Sequence, residues 1–293
     1  MDLFTKRTSM QAAADAWRAA GKTIALVPTM GALHAGHLKL VEQAREHADV
    51  VIVSIFVNPT QFAPGEDYDR YPRTLHADQA LLEPLGVDAV FAPSALDMYP
   101  FGVEEVHTYV QVEKLSERLC GATRVGHFTG VTTVVAKLFL ASKPHKAVFG
   151  LKDAQQFFVL KRMVTELGFD VELIGVPTVR EPSGLALSSR NAYLTDDERK
   201  ETSVIASSLQ STAKAVADGE LDLEALVGRL AQRITQAGGT VQYAEAVETR
   251  LLTPVTTAQP GQSLLIAVAV FWGTTRLIDN VLVTVPDSAQ PVR

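Results

Sequence analysis

The 293-residue chain has a single cysteine, Cys120, so no disulfide bond can form within it. Such sparse cysteine is typical of proteins that work in a reducing compartment, and we expect the cytoplasm. The longest apolar run, residues 264–272, is shorter than the roughly 20 residues that span a membrane. Residues 1–7 lack the basic-then-apolar order of a secretory signal, so we expect no membrane association.

The chain also lacks an excess of positive charge. Its 27 basic and 33 acidic residues give a net charge of −6, which argues against a protein that coats nucleic acid. ATP is not excluded, because charges beyond about 10 Å are screened at 0.1 M salt and local Lys and Arg side chains dominate. The 47% hydrophobic and 20% charged residues are typical of a globular protein with a sizeable core.

Short apolar runs alternate with helical patterns through the first 177 residues. This order predicts a Rossmann-like α/β domain over residues 1–177, built on a parallel sheet that binds ligands beyond the carboxyl ends of its strands. The predicted strands are 23–27, 50–57, 89–92, 147–149 and 171–176, and the predicted helices are 38–48, 76–83, 129–141 and 154–167.

The alternation stops near residues 177–182, which predicts a smaller α+β domain over residues 178–293. Thr195 and Glu198 have the spacing of a capping box at the start of a helix. The predicted helices are 196–217 and 221–237, the predicted strands are 241–247, 264–270 and 276–285, and residues 286–293 are expected to form a frayed tail.

Two histidines, His34 and His37, fall in the predicted turn between the first strand and the first helix. Unpaired N–H groups and the helix dipole at such a turn favour anions, phosphates above all. Gly31 and Gly36 allow the backbone to approach a ligand closely. We interpret the turn as a nucleotide site. The alternatives are a pair of metal ligands, although helical zinc pairs usually lie four residues apart, and a chance match without function.

Further polar side chains follow other predicted strands. Asn58 fits ordinary turn chemistry, whereas Gln61 has no evident local role and is interpreted as a ligand contact. Arg124 can hold a phosphate or carboxylate through its planar guanidinium group. His127 fits a helix start and a ligand contact equally well.

Two basic segments complete the candidate set. Lys152 stands at a strand end, Asp153 fits a helix N-cap, and Gln156 lies one turn further on. Beyond the predicted domain boundary, two hydroxyls and a guanidinium suit a mobile phosphate clamp, supplied by Ser188, Ser189 and Arg190.

Taken in order, these segments resemble the pantoate–β-alanine ligase family over nearly the whole chain. One such motif is weak, but so many in the same order are specific. The matching segments are residues 28–37, 56–62, 71–73, 127–128, 130–131, 152–153, 155–156, 175–180, 184–191, 272–273 and 276–280.

The resemblance implies a nucleotidyltransferase-like Rossmann domain, a smaller C-terminal lid domain that also governs β-alanine access, and a homodimer. It implies that ATP, with Mg²⁺, activates pantoate as pantoyl adenylate and releases pyrophosphate. β-Alanine then attacks the adenylate to give pantothenate and AMP. The metal ligands are not assigned.

The resemblance also implies roles for individual residues. The catalytic residues would be His34, His37, Lys152, Ser188, Ser189 and Arg190, with His37 as the proton donor. ATP would be bound by Pro28, Thr29, Met30, Gly31, Ala32, Leu33, His34, Ala35, Gly36, His37, Gly150, Leu151, Lys152, Asp153, Val179, Leu187, Ser188, Ser189 and Arg190. Pantoate or β-alanine would contact Asn58, Gln61, Tyr71, Arg124 and Gln156.

Three alternatives stay open at this point. The chain could be a related nucleotidyltransferase that acts on another acceptor, although Gln61 and Gln156 favour the ligase. A relative of the aminoacyl-tRNA synthetases is disfavoured by the acidic charge balance. An inactive ATP-binding module is disfavoured because His34, His37 and Lys152 are all present.

Overall fold

The computed structural model describes residues 1–63 and 65–287, so the expected frayed tail lies from residue 288 onward outside the described residues. The chain forms two compact units. The first comprises Met1–Ser116, Gly121–Leu151 and Val159–Pro177, and the second comprises Glu117–Cys120, Lys152–Phe158 and the chain from Thr178 onward.

A six-stranded parallel sheet organises the first unit, which confirms the expected α/β fold. Its strand order is β1-β4-β3-β2-β5-β6. The predicted strands are present, and β1 was missed because it is a three-residue edge strand. The strands are β1 Asp2–Phe4, β2 Ile24–Thr29, β3 Val50–Ile55, β4 Ala89–Phe91, β5 Lys146–Gly150 and β6 Glu172–Val176.

Helices cover both faces of a parallel sheet because its strands are apolar on both sides. Residues 24–27 of β2 are fully buried, as a central strand requires. The sequence-based analysis missed α1, although Met10 and Ala14 are buried at helical spacing. The helices are α1 Arg7–Ala19, α2 Ala35–His47, α3 Leu75–Leu82, α4 Ala95–Met98, α5 Cys120–Thr123, α6 His127–Ser142 and α7 Ala154–Leu167.

The second unit packs helices on a three-stranded antiparallel sheet of order β7-β8-β9, as predicted. The single helix predicted over 196–217 is wrong, because the chain forms two helices joined at buried Thr202. The capping box of Thr195 and Glu198 is confirmed. The elements are α8 Asp196–Glu201, α9 Ser203–Ala217, α10 Leu223–Gln236, β7 Thr240–Glu248, β8 Ser263–Trp272 and β9 Thr275–Thr284.

Two short segments, 117–120 and 152–158, belong to the second unit because of specific contacts. The Gln155 side chain accepts a hydrogen bond from the Cys120 backbone N–H at 3.0 Å and donates one to the Arg118 carbonyl at 2.6 Å. Cys120 Sγ lies 3.1 Å from the Tyr243 hydroxyl on β7. The lone cysteine therefore packs inside the second unit.

The long apolar run of the sequence forms β8, the central strand of the antiparallel sheet. Within residues 1–63 and 65–287, no helix has the length and apolar character needed to cross a membrane.

Candidate active site

The histidine turn follows β2 and leads into α2, as the sequence predicts. His34 is the N-cap of α2, and its Nδ1 accepts the Gly36 backbone N–H at 3.1 Å. His37 Nδ1 accepts the His34 backbone N–H at 3.3 Å. The two side chains thus form a capping box at the helix start.

These bonds assign the protonation of both half-buried imidazoles. A neutral ring that accepts at Nδ1 must carry its proton on Nε2. The ring centroids of His34 and His37 lie 4.1 Å apart, so the two imidazoles are close neighbours. Together with the dipole of α2, they make this helix start suited to an anion.

The loop before the histidines is held by side chains of the first unit. The Thr29 hydroxyl donates to the Ser54 carbonyl on β3 at 2.8 Å and accepts the Gly31 backbone N–H at 3.2 Å. The backbone N–H groups of Ala32 and Leu33 donate to the carboxylate of Asp78. A buried carboxylate thus accepts from both amides, and the contact of Ala32 and Leu33 with ATP stays a prediction about their other atoms.

Asn58 is 1% exposed and holds the turn after β3. Its Oδ1 accepts from the Tyr99 hydroxyl at 2.7 Å and from the Thr60 hydroxyl at 3.0 Å. Its Nδ2 donates to Gln61 Oε1 at 3.1 Å and to the Gly130 carbonyl at 3.2 Å. Asn58 thus fixes this turn, as its turn chemistry predicts, and its contact with substrate stays a prediction.

Gln61 has more local bonds than its sequence position indicated. Besides its bond to Asn58, its Nε2 lies 3.1 Å from Met30 Sδ, which links the ends of β2 and β3. Since β2 and β3 are neighbours in the sheet, Gln61 lies beside the loop that leads to the histidines. Its side chain is half-buried.

The guanidinium group of Arg124 forms an ion pair with the carboxylate of Glu66. Its Nε and Nη2 donate to the two oxygens of Glu66, each at 2.7 Å. Burial raises the pKa of the Glu66 carboxyl. The hydrogen bonds and charge of Arg124 lower that pKa by more than burial raises it, so the net shift is downward. Sequence reasoning missed Glu66, and no motif around it marks the pair.

His127 begins α6 and bridges Gln61 and Arg124. Its Nδ1 lies 2.7 Å from the Gln61 carbonyl, and its Nε2 lies 3.0 Å from Arg124 Nη1. The carbonyl can only accept and the guanidinium can only donate, so the neutral ring carries its proton on Nδ1. The ring thus joins the segments of Gln61 and Arg124, and a contact of His127 with a ligand stays a prediction.

Tyr71 is buried against the aromatic ring of Phe62, with ring centroids 6.0 Å apart. Its carbonyl accepts from Arg73 at 3.1 Å. Tyr71 thus packs within the loop that follows Gln61.

Within the second unit, Lys152 and Gln156 are half-buried and Asp153 is exposed. Asn280 on β9 donates from its amide to the Lys152 carbonyl at 2.8 Å. Gly150 and Leu151, immediately before Lys152, belong to the first unit, where Gly150 ends β5.

Hydrogen bonds and an ion pair hold the loop that carries Ser188, Ser189 and Arg190, the predicted phosphate clamp. Ser188 Oγ accepts the Arg190 backbone N–H at 3.3 Å, and the Leu187 N–H donates to the Val179 carbonyl at 2.9 Å. Arg180 forms a two-point ion pair with buried Asp279, at 2.6 and 3.0 Å. Both members of this pair were missed as functional candidates, although residues 175–180 and 276–280 belong to the resembling segments.

A metal cage of protein side chains is not found in the described ranges. Among residues 1–63 and 65–287, no three His, Cys, Asp or Glu side chains group closely enough to hold a metal ion.

Comparison with known proteins gives consistent relatives over the whole chain. Pantothenate synthetase from Salinibacter ruber is 55% identical over 291 residues, covering 98% of this chain and 99% of that protein. Pantothenate synthetase from Geotalea uraniireducens is 50% identical over 282 residues, covering 96% of this chain and 98% of that protein.

Solved structures agree with this. Pantothenate synthetase from Thermus thermophilus superposes with a TM-score of 0.86 at 44% identity, covering 96% of this chain and 99% of that chain. Pantoate–β-alanine ligase from Francisella tularensis, complexed with β-γ ATP and β-alanine, superposes with a TM-score of 0.79 at 35% identity, covering 96% and 97% of the two chains. The family model for pantoate–β-alanine ligase matches residues 2–282, and the chain therefore belongs to that family.

Proposed function

We propose that this protein condenses pantoate with β-alanine to form pantothenate, with conversion of ATP to AMP and pyrophosphate. The observation that carries the proposal is the pair of Nε2–H donors of His34 and His37 at the start of α2. Family membership and the relatives' names support the choice of substrates.

In the first step a carboxylate oxygen of pantoate attacks the α-phosphorus of ATP, and the bond from that phosphorus to the bridging oxygen of pyrophosphate breaks. Negative charge grows on the phosphate oxygens as this happens. His34 and His37 donate to those oxygens, and His37 supplies a proton there. A positioned donor of this kind is typically worth roughly 10²–10³ in rate.

In the second step the amine of β-alanine attacks the carbonyl carbon of pantoyl adenylate. The new C–N bond replaces the bond to the phosphate oxygen, AMP leaves, and the nitrogen loses a proton to solvent. A free carboxylate resists amines because it would have to expel oxide, whereas AMP is a stable leaving group. Adenylation thus makes amide formation possible.

Pantoate orientation is assigned to Gln61 and Gln156, with Gln61 also near β-alanine. The bond from Gln61 to Met30 supports this, because it fixes one amide of the set beside the histidine loop. Asn58, Tyr71 and Arg124 are assigned to complete the pantoate pocket or its rim. Asn58 and Arg124 also support Gln61 through hydrogen bonds to its side chain and its carbonyl.

The phosphates are assigned to Lys152, Ser188, Ser189 and Arg190 of the second unit. Adenine and ribose are assigned to residues 150–153 together with Val179 and Leu187, through backbone and side-chain contacts. The remaining ATP contacts are assigned to Pro28, Thr29, Met30, Gly31, Ala32, Leu33, Ala35 and Gly36. These assignments rest on the family pattern at those positions.

Mg²⁺ is proposed to accompany ATP. In such sites Mg²⁺ is held largely by substrate phosphates and water, with one or two carboxylates, which requires no protein cage. When bound, Mg²⁺ would neutralise charge on the triphosphate, while the histidines hold the reacting phosphate. We also propose a homodimer in the reducing cytoplasm. The family pattern supports the dimer, and the single buried cysteine suits the compartment.

The test is release of AMP and pyrophosphate from ATP, Mg²⁺ and pantoate, measured with and without β-alanine. We expect sustained AMP formation that requires β-alanine, with one pantothenate formed for each AMP. Replacing β-alanine by phosphate-bearing acceptors controls for a nucleotidyltransferase. Turnover with such an acceptor, or none with β-alanine, would contradict the proposal.

A further inference from the structure

Asp78, in the first turn of α3, is a buried carboxylate aimed at the loop before the histidines. Only 2% of the residue is exposed. Its Oδ1 accepts the Leu33 backbone N–H at 2.9 Å, and its Oδ2 accepts the Ala32 backbone N–H at 3.1 Å. The Thr74 hydroxyl donates a third bond to Oδ2 at 3.2 Å. Both oxygens of one buried carboxylate are thus committed to this loop and its own helix start.

The loop that Asp78 holds has an unfavourable backbone conformation. Gly31 has φ of +83° and Ala32 has φ of +51°, both in the left-handed region. A residue with a Cβ adopts this region only where its surroundings enforce it. Two successive N–H groups in such a loop point into one concavity that attracts an anion. Here that anion is the Asp78 carboxylate.

Gly31 fits the same arrangement. A Cβ on Gly31 would lie 3.0 Å from Asp78 Oδ2 and 3.1 Å from Ile55 Cγ2. The missing side chain therefore lets the carboxylate and β3 approach the loop closely. Loop conformation, glycine and carboxylate depend on one another.

The consequence reaches the histidines directly. Leu33 is the residue before His34, whose N-cap geometry aims both imidazoles through their Nδ1 bonds. Fixing the Leu33 N–H therefore fixes where the chain enters α2. Loss of the Asp78 carboxylate would leave the N–H donors of Ala32 and Leu33 unsatisfied and free the entry to rotate.

We propose that Asp78 is a positioning residue for adenylation: it holds residues 31–33 so that His34 and His37 present their Nε2–H donors to the α-phosphate. It acts through the loop and touches no substrate. This assignment rests on the proposed function. It also implies that this turn binds phosphate through imidazoles, with its loop amides reserved for Asp78.

The test uses Asp78→Asn, which keeps the side-chain shape. An amide has one acceptor oxygen, so its NH₂ group would face one of the two backbone donors. We expect adenylation, measured as pantoate-dependent exchange of pyrophosphate into ATP, to slow about 10- to 100-fold. The kcat/KM for β-alanine should stay within about twofold, because it reports only the steps that follow adenylation. Asp97→Asn, at the start of α4 outside the site, is the matched control.

A second variant guards against misfolding. Thr74→Val removes only the hydroxyl donor to Asp78, and we expect it to slow exchange about two- to fivefold with the fold intact. A rate of pyrophosphate exchange in Asp78→Asn within twofold of the wild-type rate would overturn the proposal. So would an equal loss of the pyrophosphate-exchange rate and of the overall turnover rate that matches only the fraction of folded protein.

Hydrogen exchange separates this proposal from the proposed function. The amides of Ala32 and Leu33 should be protected in the wild-type protein and should exchange at least about tenfold faster in Asp78→Asn. That readout needs no substrate. If wild type makes no pantothenate while these amides behave as expected, the proposed activity fails and the loop-holding role of Asp78 stands.

Discussion

The side-chain amide of Asn280 donates a hydrogen bond to the backbone carbonyl of Lys152 at 2.8 Å. Asp279, the residue before Asn280, forms a two-point ion pair with Arg180. Arg180 Nη1 also donates to the Gly184 carbonyl at 3.0 Å. Two consecutive residues of β9 therefore brace the segment of Lys152 and the loop that leads to Ser188. The phosphate-binding groups proposed for the second unit share one strand as their support.

Replacing Asn280 by alanine removes the brace on Lys152 while leaving the lysine itself in place. We expect the KM for ATP to rise about tenfold, since a lost hydrogen bond is worth about 0.5–1.5 kcal/mol and the lysine also gains freedom. Steady-state kinetics with varied ATP check this. Gln210→Ala, which truncates an exposed amide on α9, should leave KM unchanged. An unchanged KM in Asn280→Ala would show that the brace is dispensable.

His37→Ala tests the histidine turn. We expect turnover to fall at least about a hundredfold while ATP still binds, because the lost N–H donor acts on charge that develops during adenylation. The measurements are AMP release and ATP titration by calorimetry. His47→Ala, at the exposed end of the same helix, is the control. Weakened ATP binding with normal turnover would contradict the catalytic assignment of His37.

The Glu66–Arg124 pair predicts a pH dependence of stability. Because the folded-state pKa of Glu66 is below its ordinary value of 4.5, its carboxylate stabilises the protein above that pH. The contribution disappears as pH falls through the lowered folded-state pKa. Melting temperatures of wild type and Glu66→Gln should therefore differ near neutral pH and converge in acid, measured from about pH 7 to about pH 3.

A matched control for this titration is Glu42→Gln. Glu42 pairs with Lys39 at 2.8 Å, but both side chains are about half exposed, so the pair contributes little. Its melting temperature should follow wild type at every pH. A constant difference between wild type and Glu66→Gln across the range would mean that packing, and not charge, explains the effect of Glu66.

Gly130→Ala tests how α6 holds the turn of Asn58 and Gln61. A Cβ on Gly130 would lie 2.3 Å from the Thr60 carbonyl oxygen, so helix and turn must separate. We expect a loss of about 1–3 kcal/mol in the free energy of unfolding, as for overpacking elsewhere, and a raised KM for pantoate. Urea denaturation and kinetics measure the two effects.

The control for that substitution is Gly228→Ala in α10, where nothing lies within 4 Å of the new Cβ. There alanine should stabilise the helix by up to about 1 kcal/mol. If Gly130→Ala behaved in the same way, close packing of α6 on the turn would not be what positions Gln61.

The sequence identified the architecture well where its signal is local. Periodicity and turn residues located the central strands and most helices, and the capping box of Thr195 and Glu198 is as predicted. The family was recognisable because many short motifs occur in order. Short or weakly patterned elements were missed, including β1 and α1, because edge position and packing against neighbours define them.

The functional groups divide in the same way. Sequence alone determined which chemistry is available: paired imidazoles after β2, amides after β3 and basic groups near α7 and residue 190. Tertiary structure alone decided which of those side chains are committed to holding the chain. The carboxylates of Asp78 and Glu66 show the reason, since they accept hydrogen bonds from Leu33 and Arg124, which lie 45 and 58 positions away along the chain. No local sequence pattern specifies such a pairing. Burial removes water from these groups, so they must be satisfied by whatever the fold brings to them.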